Sequence, residues 1–429
     1  IMKEFIDALI DFSINTHLEK IPLFYYDAFL NYLGVTCVGA KQEVIDQTIE
    51  TIIEDRCGNY QPLFHQEKLP LSSCALVDCF SSAILAYDDI HFETTTHPCG
   101  PVASGLLALA RKQKVSLKQF LEALCIGMEV ECRLGLAFFL KENNGWYTTG
   151  IVGAMATAVA IGKLLNFNKE QYKNVLAFSA NLASGTRGSH GSAIGSFIPA
   201  FASYHGYMAA MYTQKGISAN INSLIGKNGL MMQIIKTPHL KEAMENLNKQ
   251  WISMQVSSKP YPYGFISYAI LSTLNEINID ITKCKKIEVE VSKQVYQLGN
   301  NKNPQNNYDA FVSLPYIIAH VLVDKKNIYQ PMIGKFLITK EEQEIINKIV
   351  LKENETLTNQ QTIMIIDGQR YQSNKVLGTP QNEMKHQDII EKFKRLTNIN
   401  NQFIEDYYHQ EIKDIYHFIK HNLEEKKEM

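Results

Sequence analysis

The chain has 429 residues, 45% hydrophobic and 20% charged, and its 42 basic and 44 acidic side chains leave a formal net charge of −2. That composition supports a sizeable core and excludes global disorder. With no basic excess, neither nucleic acid nor an anionic membrane surface is expected as a partner. Charge is unevenly spread: only about 20 Asp, Glu, Lys and Arg side chains fall between 71 and 220. That stretch reads as deep core or subunit interface.

Near the start, Glu4 and Asp7 stand where a secretory signal needs an apolar run. The apolar stretch Ile151–Gly162 is too short to span a bilayer. A cytoplasmic location away from the membrane is therefore expected. The eight cysteines include no CxxC pair and sit mostly in apolar helical contexts, as in Leu124-Cys125-Ile126. Buried thiols are expected, with no disulfide framework or structural zinc.

Residues 1–250 read as helix after helix, with no strand alternation. Val44, Ile45, Ile49, Ile52 and Ile53 share one helical face. Ser116–Gln119 and Asn168–Gln171 are capping-box sequences ahead of apolar runs. Gly150 to Ile161 is rich in Ala and Gly, which suits a helix packed very closely on its neighbours. The character changes near Trp251. Lys286–Val291 alternates polar and apolar residues and predicts a half-buried strand, with a weaker strand at Lys348–Leu351. Thr362–Ile366, Asp367-Gly368 and Gln369–Gln372 read as a hairpin, while Pro315–Val323 and Thr339–Ile346 look helical. From Asn382 onward the chain is helical again. The expected fold is mainly α. It comprises a discontinuous helical domain (1–252 plus 384–429) and a smaller α+β lid (253–383) inserted before the C-terminal helices.

No P-loop, Rossmann fingerprint, HExxH or GxSxG is present. Asp88-Asp89 beside His91 and His97 offers metal-ligating types but no recognised ligand set, so no metal is expected.

Five segments place polar groups where a core-rich helical chain would not spend them. Tyr87–Pro98 holds two acids, two histidines and three threonines, and reads as an active-site loop with His97 as acid or base. Gly145–Gly150 precedes a small-residue helix whose free N–H groups could bind a carboxylate, or is a plain N-cap. Ser184–Gly195 is a glycine-rich loop in which Arg187 and His190 could clamp an anion, or a solvent-facing loop. In Ser258–Pro262 two prolines hold Lys259 at the domain junction, either beside a ligand cleft or within a rigid linker. Tyr308–Tyr316 is aromatic enough for core packing, with Tyr316 a candidate for the site.

Together these segments resemble the MmgE/PrpD family. The resemblance rests on Asp27–Val35, on Tyr87-Asp-Asp-Ile-His91 followed by His97-Pro98, and on Gly127–Arg133. Gly145-Trp-Tyr-Thr-Thr-Gly150, Lys259–Pro262 and Ser313–Tyr316 extend it. It covers most of the chain and is densest from Asp27 to Gly216. It implies a helical domain with an α+β lid, a cytoplasmic homodimer, and no metal or organic cofactor. It also implies dehydratase, decarboxylase or epimerase chemistry on small di- or tricarboxylates. His97, Lys259 and Tyr316 match positions the family uses in catalysis. Four positions depart: Ala86 replaces an acid, Ile90 a threonine, Tyr147 a histidine, and Gly195 a lysine. Two potential cationic contacts are thereby lost, which favours a substrate with fewer than three carboxylates.

The resulting expectation is a cofactor-independent enzyme that abstracts a proton α to a carboxylate or carbonyl, with a lyase as first choice. The catalytic set is His97, Lys259, Tyr316 and Tyr147, and Tyr147 could donate a proton or act as a base if its pKa were lowered. Asp89, His91, Thr148, Arg187 and His190 are the expected substrate-binding residues. An epimerase using the same proton abstraction, and a paralogue that only binds a metabolite, remain alternatives.

Overall fold

Because residues 71–220 carry so little charge, their helices can cover one another on nearly every side. The computed structural model describes residues 1–140, 145–189, 191–277, 284–373 and 375–424. The first part contains α1 (Met2–Asn15), α2 (Leu23–Gly39), α3 (Glu43–Asp55), α4 (Leu71–Ala83) and α5 (Cys99–Ala110). It continues with α6 (Leu117–Phe139), α7 (Thr148–Leu164), α8 (Lys169–Leu182) and α9 (Ile194–Gln214). Among the described residues no helix is long and apolar enough to cross a membrane.

α7 is the axis of this layer and packs against α5, α6, α8 and α9. Its small residues allow the approach. A Cβ on Gly150 would stand 2.2 Å from the Ser184 carbonyl oxygen, and one on Gly206 of α9 would stand 2.6 Å from that of Ala154. Both capping boxes form, at Ser116 on α6 and Asn168 on α8. On α3, Ile45 and Ile49 are buried but Ile53 is exposed, because this helix lies at the rim against α4.

The α+β unit holds a four-stranded sheet. Its strands are β3 (Ile287–Val291), β4 (Ile349–Glu353), β5 (Thr362–Ile366) and β6 (Gln369–Tyr371), in the order β4-β3-β5-β6. β3 runs parallel to β4 and antiparallel to β5, so Ile287 lies opposite both Ile349 and Ile366. The alternation read from sequence is a burial pattern: Ile287, Val289 and Val291 face the core and the two glutamates between them do not. Three apolar cores are found among the described residues. The largest draws on Phe5 to Val256 and again on Ile389 to Leu423. The second draws on Tyr261 to Ile366, and a smaller third one joins residues of α2, α3 and α4 to Ala200 and Leu396.

One element of the helical half was not visible as alternation. β1 (Asp89–Ile90) pairs antiparallel with β2 (Ser257–Ser258), in the register Asp89↔Ser258 and Ile90↔Ser257. This short ladder ties the loop between α4 and α5 to the segment that leads into the α+β unit.

That leading segment is itself anchored by a buried ion pair on α6. Arg133 Nε donates to Glu129 at 2.7 Å, and its other nitrogens donate to the carbonyls of Ala243, Glu245 and Gln250. Glu129 accepts from the Ile252 and Ser253 amides and from the Ser253 hydroxyl. Removing one partner strands the other charge in the core. Arg133→Met is therefore expected to lower unfolding free energy by about 3–5 kcal/mol, measured by urea denaturation. A loss below about 1 kcal/mol would show that the pair is not the anchor described.

Candidate active site

The loop after α4 turns sharply at Ala86, whose φ of 50° lies in the left-handed region. It then enters β1, where ladder pairing fixes Asp88 and Asp89 against the segment that carries Lys259. The Lys259 amide donates to the Asp88 carbonyl at 3.0 Å. Asn31 of α2 reaches the same carbonyl at 3.4 Å. Backbone geometry alone thus sets two side chains 171 residues apart in register.

Those side chains meet. Lys259 Nζ donates to Asp88 Oδ1 at 2.5 Å, and His97 Nδ1 lies 3.0 Å from Asp88 Oδ2. His97 Nδ1 also lies 2.6 Å from the Asp89 carbonyl oxygen. With acceptor oxygens on two sides, Nδ1 carries the proton, so in the neutral imidazole Nε2 is the nitrogen with the lone pair. The His97 amide donates to Thr149 Oγ1 at 2.9 Å, which anchors the residue to the first turn of α7.

The two acids are driven apart in pKa. Burial alone would raise Asp88, but Lys259 and His97 outweigh it and hold this carboxyl well below the usual range. Asp89 is pushed up to about 6, first by burial and then by the negative charge of Asp88, although its Oδ2 accepts the Cys99 amide at 3.0 Å. Below both, Glu131 of α6 is fully buried, with neither oxygen hydrogen-bonded among the described residues. Burial and then Asp89 raise its pKa well above the ordinary value, so it remains a neutral acid. Divergent environments for neighbouring titratable groups are the mark of acid–base chemistry.

Asp88, Asp89 and His97 offer ligand atoms within 4.8 Å of one another. This set could hold a cation, but Asp88 already has Lys259 as its counter-charge. The arrangement is a lysine–carboxylate–imidazole cluster.

Of the other residues expected from sequence, Tyr147 lies near His97, with ring centroids 6.4 Å apart. Its pKa is not lowered. Burial pushes the hydroxyl above the tyrosine range, Asp88 adds to this, and Arg187 opposes it only in part. Tyr147 thus keeps its proton at neutral pH, and the lowered pKa that action as a base would need is absent. Arg187 Nη2 donates to Thr95 Oγ1 at 2.7 Å, and Thr148 Oγ1 donates to the Thr95 carbonyl at 2.7 Å. Thr148 is buried and spends its hydroxyl on this loop. His91 is also turned inward. Its Nδ1 meets Thr94 Oγ1 at 2.8 Å, and burial lowers its pKa to about 4, so it is a neutral structural group. Tyr316 stacks on His320, itself 2.6 Å from Glu342, and packs edge-on against Phe336. These partners belong to the α+β unit, not to the His97–Lys259 cluster. His190 lies outside the described residues.

Asp88 was missed as a working residue. Its signal was the doublet itself, since two adjacent acids beside two histidines in an apolar block need a counter-charge. Two open concavities of about 550 and 570 Å³ lie elsewhere, one around Asn181, Asn220 and Lys227, the other around Lys41, Thr397 and Asn400.

The MmgE/PrpD N-terminal domain description matches residues 21–243, and the MmgE/PrpD C-terminal domain description matches residues 268–406. Among curated proteins, a cis-aconitate decarboxylase of Aspergillus terreus is 25% identical over 323 residues, covering 68% of this chain and 66% of that protein. A cis-aconitate decarboxylase-like protein, oryM, of Aspergillus oryzae is 24% identical over 248 residues, covering 53% and 51%. The chain thus spans slightly less than two thirds of the length of the first of these relatives and about half of the second.

The raised pKa of Asp89 has a stability consequence. The folded state keeps this proton longer than the unfolded chain does, so Asp89's contribution is full below about pH 4 and is lost as pH rises through about 6. Asp89→Asn removes that loss and can still accept the Cys99 amide. Its stability relative to the unaltered protein is expected to improve by on the order of 1–2 kcal/mol between pH 4.5 and pH 7. Urea unfolding at both pH values measures this. An equal difference at the two would show that Asp89 ionises normally.

Proposed function

Since the chain belongs to the MmgE/PrpD family, we propose that it is a lyase acting on a small organic acid, with proton removal from the carbon next to a carboxylate. The observation that carries this reading is the Asp88–Lys259–His97 cluster. Its Nδ1 proton directed at oxygen leaves His97 Nε2 as the base. Asp88 orients the imidazole and stabilises the imidazolium formed when it takes the proton, the role a buried carboxylate plays behind other catalytic histidines. Lys259 is the cation for a substrate carboxylate, and it stabilises the negative charge that develops there as the carbon loses its proton. Tyr147 keeps its proton at neutral pH and lies beside His97, which supports a role as donor to a leaving group or to carbon.

This protonation state favours a lyase over an epimerase. An epimerase of the kind considered needs a second base opposite His97, and a buried protonated Tyr147 is a poor one. Arg187 adds a second cation near the site, which suits a mono- or dicarboxylate better than a tricarboxylate. Neutral Glu131 adds no negative charge beneath it. The names of the relatives, cis-aconitate decarboxylase and a protein like it, agree with loss of CO₂ as the outcome.

The test is incubation in D₂O with a panel of small carboxylates, followed by NMR and CO₂ detection. Net unsaturation or CO₂ release is expected, and His97→Ala and Lys259→Ala should each lower kcat by about 10²-fold or more. Deuterium exchange without net conversion would replace the lyase with an epimerase. Saturable thermal stabilisation by one acid with no exchange would make the protein a binder. Unchanged turnover in both variants would remove the cluster from the mechanism. Tyr147→Phe should lower kcat while leaving KM within about threefold, because it removes a proton donor rather than a carboxylate contact. A rise in KM alone would assign Tyr147 to binding instead.

A further inference from the structure

The helix His386–Thr397, which follows the α+β unit, buries a lysine. Lys392 is 1% exposed. Its Nζ donates to the Tyr87 carbonyl at 2.8 Å and to the Lys259 carbonyl at 2.7 Å, and it stands 3.7 Å from the centroid of the Tyr87 ring. An ammonium has three donors. Here two go to carbonyls and the nitrogen stands over an aromatic ring, so Lys392 is held by contacts other than a carboxylate.

The identity of the two carbonyls matters. Tyr87 is the residue before Asp88, and Lys259 is the residue after β2. The last interstrand bond runs from the Lys259 amide to the Asp88 carbonyl. Beyond it the ladder has ended, and the next carbonyl on each strand would otherwise be buried without a partner, a cost of about 1–3 kcal/mol for each. One ammonium takes both. Arg395, a turn further along the helix, donates to the Tyr87 hydroxyl at 3.1 Å, and that hydroxyl donates to the Pro260 carbonyl at 3.0 Å. The helix therefore grips both strands at the open end of the ladder.

We propose that Lys392 is a positioning residue for the site: it closes the open end of the β1–β2 ladder and so holds Asp88 and Lys259 at the separation that proton transfer needs. This rests on the function proposed above. The groups facing Lys392 are Arg395 on its own helix, Lys259 on the strand segment, and Asp88 and Asp89 on the loop. Burial first, then Arg395 and Lys259, bring its pKa well below the ordinary lysine range, and Asp88 and Asp89 oppose this only in part.

Two variants of the full chain test this. Lys392→Met keeps the stem and loses every donor; Lys392→Gln keeps two N–H donors without the charge. A misplacement of about 1 Å costs on the order of 10²-fold in rate. Lys392→Met should therefore lower kcat by about 10-fold to 10²-fold with KM within about threefold, and Lys392→Gln should recover part of that loss. A crystal structure of Lys392→Met should show the Asp88–Lys259 contact lengthened or broken. Retention of that contact together with unaltered kcat overturns the proposal. So does an equal loss in both variants that follows a fall in Tm alone, or failure of both variants to fold, since each assigns Lys392 a purely structural role. If the unaltered protein turns over none of the carboxylates, the functional reading fails by itself. The Asp88–Lys259 separation in the variant crystals then decides whether Lys392 positions the pair.

Discussion

A buried lysine–carboxylate pair is costly unless other groups share its charges, and much of this structure exists to share them. Lys259 and Asp88 are both buried, at 2.5 Å from one another. Their mutual attraction offsets desolvation only with good geometry and satisfied remaining oxygens. The second Asp88 oxygen has His97, and its backbone carbonyl has Lys259 and Asn31. The surrounding helices α4, α5, α6 and α7 contribute almost no competing charge. Glu131, the acid that intrudes from α6, stays neutral. The low charge between 71 and 220 is therefore a condition for the cluster as well as for the core, because it keeps the local dielectric low and the few ionised groups strongly coupled.

The same constraint explains why the chain leaves the helical layer and comes back. Lys259 arrives on the segment that runs out into the α+β unit, while Lys392 and Arg395 arrive on the helix that returns from it. The cluster is thus assembled from three distant stretches of sequence: the 87–97 loop, the 257–260 segment and the helix His386–Thr397. Tyr308 packs against apolar residues on both sides of this junction. A site built from crossing segments is sensitive to how the two larger cores sit on each other, and this places its geometry under control of the whole fold.

Much of that fold was legible in the sequence because it depends on local periodicity and capping. The boxes at Ser116 and Asn168 form as read, and the alternation in 286–291 becomes β3 with its apolar residues inward. β1 was invisible because two residues cannot alternate in any detectable way, and its existence depends on a partner at 257–258. The site divides along the same line. His97 and Lys259 stood out because a polar loop and a proline-framed lysine are unusual in apolar surroundings. Asp88 drew notice as part of the polar loop and as a possible ligand, but not as the partner of Lys259, which lies 171 positions away. Lys392 sits in Glu-Lys-Phe-Lys-Arg, a run that looks like an ordinary solvated helix face. His91 misled for the opposite reason: a polar loop residue can close its own loop, as the Thr94 contact shows.

In the proposed mechanism one cluster both binds the acid and moves its proton. The measurement that addresses this most directly is a crystal structure with a turned-over or competitively bound small carboxylate. The expected structure has a ligand carboxylate within hydrogen-bond distance of Lys259 Nζ, its α carbon facing His97 Nε2, and Asp88 still on His97 Nδ1. A ligand seated in the open concavity around Asn181 and Lys227, with the Asp88–Lys259–His97 cluster untouched, would contradict it.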